Sequence, residues 1–147
     1  MSKYKDKIFG EEWSNWIDPE VPEYFNPTTV VLDKHLKTNV ASSIALIVDN
    51  ESYTYEQFLH QVCRAANGLK ALNIESGSRI LLFATDSLEF LAFWFGAIRA
   101  GIIPVVVSDA YKASNLLYFL NDTAAKTLFI DVEQTAKLDE ISDDIPY

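Results

Sequence analysis

Two histidines, one cysteine and two aspartates that follow apolar runs are the side chains here whose types and positions suit chemistry. His35 and His60 fall on separate predicted helices, and neither has ligand spacing to a second His, Cys or acid. They read as solvated helix-face histidines rather than metal ligands. Cys63 lies beside Val62 near the buried face of its predicted helix, and no partner base can be named for it, so it reads as a core thiol. Asp86 follows the end of a predicted strand, where open α/β sheets bind ligands and where a phosphoacceptor aspartate would sit. Its spacing to Glu89 is also that of a helix cap and the third residue after it, and capping accounts for it without chemistry. Asp109, just past another strand end, receives the same reading. The five glycines, at positions 10, 68, 77, 96 and 101, form no glycine-rich loop able to cradle phosphate. A kinase or dinucleotide-binding role is therefore disfavoured. The sequence assigns no catalytic, cofactor-binding or metal-ligating residue to this chain.

Charge narrows the partners. Residues 1–25 carry three lysines against six acids (−3), 26–130 eight bases against nine acids (−1), and 131–147 one lysine against six acids (−5). The middle is nearly neutral and both ends are acidic. With no basic stripe to neutralise phosphates, nucleic acid is not an expected partner. A single cysteine excludes an internal disulfide and any multi-thiolate metal site. Lys3, Lys5 and Lys7 are followed by acidic and polar residues instead of the apolar run of a secretion signal, so a cytoplasmic location is expected. Leu88 to Val107 is long enough to raise the question of a membrane span. Glu89, Arg99, Gly101 and Pro104 interrupt it, and no span is expected.

The elements that must position these residues alternate in type. Residues 1–25 show no sustained period and read as an arm in which Trp13, Trp16, Tyr24 and Phe25 pack against a larger body, Pro19 and Pro22 keeping it non-helical. Asn26-Pro27 predicts a capped helix running to about Thr38. Ile44–Val48 and Ser52–Thr54 read as short strands joined by a turn at Asp49–Glu51. Thr54 and Gln57 have capping-box spacing, and the helix they open, from Tyr55 to about Leu72, places Phe58, Leu59, Val62, Ala66 and Leu69 on one face. After Gly77 comes a strand, Arg79–Ala84, then a helix capped by Asp86 that runs to Ala100 and is apolar on almost every side. Gly101 stops it. Ile102–Val107 has no polar alternation, as expected for a parallel strand covered on both faces. A helix over Lys112–Asn121, a strand over Lys126–Ile130 and a helical tail from Val132 to Ile141 complete the pattern. Such alternation predicts an α/β fold with a mainly parallel sheet flanked by helices.

Two junctions carry more than local structure. Tyr53-Thr54-Tyr55-Glu56-Gln57-Phe58 resembles the first core motif of the AMP-forming acyl-CoA synthetases, the adenylate-forming superfamily, and Ile98-Arg99-Ala100-Gly101-Ile102-Ile103-Pro104-Val105-Val106 resembles the second. The connecting text, including Asn67-Gly68-Leu69, Arg79-Ile80-Leu81-Leu82, Asp86-Ser87-Leu88-Glu89-Phe90 and Phe95-Gly96-Ala97-Ile98, looks most like the benzoate–CoA ligase branch. The resemblance covers about residues 22–132. It implies an enzyme that activates a carboxylic acid, such as a benzoate, with ATP and magnesium to an acyl-adenylate and passes the acyl group to CoA. The family's phosphate loop, ribose-binding aspartate and catalytic lysine have no counterpart in this chain. It is thus expected to be an N-terminal arm (1–25) and an incomplete α/β N-terminal subdomain (26–147), inactive alone. In some relatives a basic residue after the second motif approaches the CoA phosphates. Ala110 stands there, with Lys112 two residues on, and the role is not carried over. The open alternatives are a stand-alone α/β interaction or regulatory domain, with Asp86 as a receiver-type aspartate, and a fragment of a peptide-synthetase adenylation module. Self-association through the apolar helix is a further expectation.

Overall fold

The structure, a computed structural model, describes residues 24–145. Most of the expected arm, Trp13 and Trp16 included, lies outside the described residues. At its end Tyr24 and Phe25 are exposed.

Asn26 caps helix α1 (Pro27–Val31), its side-chain oxygen accepting from the Thr28 N–H at 3.1 Å, with proline at the first position as the sequence demands. The helix does not continue to Thr38. Four consecutive β-branched residues, Thr28 to Val31, restrict its side chains against the preceding turn. Leu32 then leaves helical geometry (φ −120°) to bury itself, and a 3₁₀ turn follows over Asp33–Lys37. Strands β1 (Ile44–Val48) and β2 (Glu51–Thr54) form an antiparallel hairpin. Its turn, Asp49-Asn50, has positive φ at both residues, the handedness that matches strand twist. Helix α2 (Tyr55–Ala71) opens with the expected capping box. The Thr54 Oγ1 accepts from the Gln57 N–H at 3.2 Å, and the Gln57 Oε1 accepts from the Thr54 N–H at 2.9 Å.

The sheet is parallel, with β3 (Arg79–Phe83) between β4 (Ile103–Val106) and β5 (Thr127–Ile130). Helices α3 (Leu88–Arg99) and α4 (Ala113–Thr123) cover opposite faces. Ile80 and Leu82 point to one face and pack with Phe90 and Ala97 of α3. Leu81 and Phe83 point to the other and pack with Ala113, Leu116 and Leu120 of α4. The period of two in β3 thus feeds two separate cores. The α/β fold with a parallel sheet flanked by helices is as expected. β4 is a correction: it is an edge strand, with Ile103 and Val106 about half exposed, not covered on both faces. Its apolar run describes composition, while coverage depends on strand order.

Helix α3 ends in a Schellman motif. The Ile102 N–H donates to the Ala97 carbonyl at 2.9 Å and the Gly101 N–H to the Ile98 carbonyl at 3.0 Å, with Gly101 at φ +76°. Ile102 and Ala97 are both buried, the apolar contact that accompanies this cap. The tail is a series of short turns instead of one helix: a 3₁₀ turn at Val132–Gln134, α5 (Thr135–Asp139) and a second 3₁₀ turn at Ser142–Asp144. Among the described residues no helix is long and apolar enough to cross a membrane.

Candidate functional site

Helices α3 and α4 follow β3 and β4 and pack on opposite faces of the sheet, and the carboxyl ends of such neighbouring strands are where doubly wound sheets bind ligands. Three strand ends are tied together here. Thr85, two residues beyond β3, is the hub: its N–H donates to Asp131 Oδ2 at 2.7 Å, and its hydroxyl donates to Asp109 Oδ2 at 2.9 Å. Asp131 directly follows β5, and Asp109 lies in the loop after β4. From α5, the Lys137 amine donates to the backbone carbonyls of Asp109 at 2.6 Å and Tyr111 at 2.8 Å. It also lies 5.1 Å from the centre of the Phe83 ring. A cation over a ring face and two carbonyls is well satisfied without a carboxylate partner.

Asp109 is therefore part of this cluster and not a helix cap: the N-cap of α4 is Lys112, with no side-chain capping bond. Asp86 does not cap α3 either. Ser87 does, its Oγ accepting from the Phe90 N–H at 3.0 Å, one residue along from the expected position. Asp86 is exposed, next to Thr85. Thr85, Asp131 and Lys137 were not singled out by sequence reasoning. The available signal was a polar residue within two positions of the end of an apolar strand, at Thr85 and again at Asp131.

The remaining candidates are dispersed. His60 is exposed on α2, whereas His35 is half-buried with its ring 4.5 Å from that of Tyr55, so it is a packed residue and not a solvated one. Cys63 is a half-buried free thiol beside the Leu32, Phe58, Leu59 and Val62 cluster. The guanidinium of Arg99 is held above its ordinary pKa, chiefly by its hydrogen bond to Asp33, with burial opposing and the Cys63 side chain adding. Among the described residues no group of three or more His, Cys, Asp or Glu side chains is placed to hold a metal ion. The strand-end cluster pairs its carboxylates with Thr85 and its amine with carbonyls. These bonds tie the three strand ends together as a clamp.

The sequence model described as "AMP-binding enzyme" matches residues 32–146. The chain is 28% identical over 123 residues to a 4-hydroxybenzoate–CoA/benzoate–CoA ligase of Rhodopseudomonas palustris, covering 84% of this chain and 23% of that protein. Its fold superposes on the anthranilate CoA ligase AuaEII, solved in complex with anthranoyl-AMP, with a TM-score of 0.78 at 26% identity, over 86% of this chain and 24% of that one. A benzoate CoA ligase from Burkholderia xenovorans LB400 shares the fold, with a TM-score of 0.74 at 23% identity, over 82% and 24% of the two chains. The chain spans about a quarter of the length of these relatives. The match over residues 32–146 takes in both motif junctions, the parallel sheet and its strand-end clamp, and by it the chain belongs to the AMP-binding enzyme family.

Proposed function

We propose that this chain forms the N-terminal α/β layer of an ATP-dependent acid–CoA ligase acting on an aryl acid such as a benzoate. A carboxylate is a poor acyl donor because oxide is a poor leaving group. Joining it to AMP, with loss of pyrophosphate, supplies a good one, and a thiol such as that of CoA then takes the acyl group. ATP, magnesium and CoA serve the whole enzyme. This chain offers no glycine-rich phosphate loop, and its described residues offer no metal-ligand cluster. No step of the reaction is therefore routed through residues 24–145, and no catalytic residue is assigned here.

What these residues supply is a scaffold: residues 26–147 as an α/β subdomain and 1–25 as an arm. Thr85, Asp109, Asp131 and Lys137 fix the three strand ends relative to one another. The family match over residues 32–146 is the observation that carries the proposal. A cytoplasmic location and a carboxylic acid substrate belong to the same reading.

Acid-dependent ATP–pyrophosphate exchange tests it. The 147-residue chain by itself is expected to show none with benzoate or hydroxybenzoate, and robust exchange would sink the scaffold assignment. Replacing the matching N-terminal quarter of a benzoate–CoA ligase with this chain should give a folded chimera that retains benzoate-dependent exchange. A folded but inactive chimera counts against the ligase reading.

A further inference from the structure

Asn67-Gly68 lies in the last part of α2, close to its end at Ala71. It is the one place in the sequence where glycine follows asparagine, and every other asparagine precedes a larger residue. The pair has a chemistry of its own, because a glycine nitrogen carries no neighbouring side chain to hinder its attack on the asparagine amide. The deprotonated Gly68 nitrogen bonds to Asn67 Cγ, ammonia leaves, and a cyclic succinimide forms. Water then opens one of the two ring carbonyls, leaving aspartate or isoaspartate in place of the asparagine. No reagent besides water is needed.

Helical geometry holds this reaction back. Within α2 the Gly68 N–H is engaged with the carbonyl one turn earlier. The Asn67 backbone must also leave the helical region before its side chain can close on that nitrogen. Ring closure therefore waits for the end of α2 to open, and three observations make that end weak. Glycine is a poor helix former, and among the described residues nothing beyond its own helix backbone lies within 4 Å of the place a Gly68 Cβ would occupy. The terminal cap is built on Asn73 at φ +57°, where the matching cap of α3 has Gly101. Its outer bond, from the Ile74 N–H to the Leu69 carbonyl, is 3.3 Å, against 2.9 Å for Ile102 to Ala97 in α3. Finally, Leu69, 2% exposed, is the one buried side chain between Asn67 and Asn73.

We propose that Asn67-Gly68 is a self-modification site, which deamidates through the succinimide whenever the end of α2 opens. Isoaspartate lengthens the main chain by a methylene and cannot rejoin the helical hydrogen bonds, and either product adds a negative charge near the negative end of the helix dipole. Each conversion thus leaves the end of α2 loosened for good. The inference does not rest on the ligase reading. Peptide mass spectrometry on the 147-residue chain kept at mildly alkaline pH is expected to find amide-to-acid conversion at Asn67 ahead of every other asparagine, the exposed hairpin-turn residue Asn50 included. Isoaspartate should be among the products, and the rate should rise with pH. Conversion should be on the order of tenfold slower in the folded chain than in urea. Asn73→Gly keeps the reacting pair and improves the cap, so it should slow the folded chain about threefold and leave the rate in urea unchanged. Gly68→Ala should nearly abolish conversion without lowering the melting temperature, because its methyl group hinders the nitrogen and meets nothing in the fold. An Asn67 that stays intact in the folded chain while the chain in urea converts fully overturns the proposal. So does Asn50 converting first, a folded rate equal to that in urea, or a folded rate indifferent to Asn73→Gly.

Discussion

The Thr85 hydroxyl donates to Asp109 Oδ2 at 2.9 Å, bridging the ends of two neighbouring parallel strands whose following helices pack on opposite faces of the sheet. Its own N–H reaches the third strand through Asp131. Thr85→Val removes the bridging hydroxyl and keeps the branched shape. It should lower the unfolding free energy by about 1 kcal/mol, because the bond is exposed and Asp109 can be rehydrated. A urea-melt cycle with Asp109→Asn should show coupling of roughly 0.5–1 kcal/mol. Additive losses would mean that the two side chains do not act together.

Lys137 ties α5 to the loop after β4 through the carbonyls of Asp109 and Tyr111 and lies over the Phe83 ring. Lys137→Met keeps the stem and loses the charge. About 1–2 kcal/mol of stability should go with it. Hydrogen exchange should quicken in residues 109–112 before the strands are affected. Unchanged exchange there would show that the loop is held by other contacts.

The elements legible in the sequence were those whose rules are short-range. Thr54 and Gln57 are three residues apart, and their reciprocal bonds are as the spacing predicts. Gly101 and Ile102 close α3 through bonds to the Ile98 and Ala97 carbonyls, all within six residues. The strand-end clamp was not legible because Thr85 and Asp131 are 46 residues apart. Nothing local marks them as partners until the strand order β4-β3-β5 sets them side by side. Asp86 shows a nearer failure. Asp86 and Ser87 are both good capping residues, and only the geometry of the turn decides for Ser87.

Gly96 is the contact point of α2 and α3. An added Cβ would lie 2.8 Å from the Ala65 Cβ, 3.0 Å from the Ala66 nitrogen and 3.1 Å from the Val62 oxygen, two of them backbone atoms that cannot swing away. Gly96→Ala should therefore cost about 1–3 kcal/mol in a urea melt despite the better helix propensity of alanine. A neutral outcome would mean that the two helices can separate freely.

Tyr53 donates its phenolic proton to Glu51 Oε2 at 2.7 Å. That bond is the main reason its pKa lies above the ordinary 10.0, with nearby carboxylates adding to it. A raised folded value means that the protonated phenol is favoured by folding. The contribution is complete below the unfolded pKa and disappears as pH climbs through the folded one. Glu51→Gln should move the Tyr53 ring resonance titration to lower pH, followed by NMR. A titration that stays in place would separate the shift from this bond.

Asn26 and Asp33 both hold the α1 segment to the end of α3, by different physics. Asn26 Oδ1 accepts from the Thr28 N–H at 3.1 Å and from the Thr28 hydroxyl at 2.8 Å, while its Nδ2 donates to the Ile98 carbonyl at 2.9 Å. One neutral side chain thus caps the start of α1 and the end of α3. Asp33 accepts from Arg99 at 2.9 and 3.0 Å, with side chains 31% and 29% exposed. A pair so close to solvent contributes about 0.5–1 kcal/mol and is weakened by salt. Arg99 adds no pH dependence at neutrality. Its pKa is raised, so its contribution is complete below its already high ordinary value and is lost only above it. Asn26→Ala should cost more than Asp33→Asn, about 1–2 kcal/mol, because it strands polar groups around the fully buried Thr28. In about 1 M salt the Asp33→Asn penalty should shrink toward zero while the Asn26→Ala penalty persists. Equal salt sensitivity in the two variants would show that charge, and not the double cap, fastens α1 to α3.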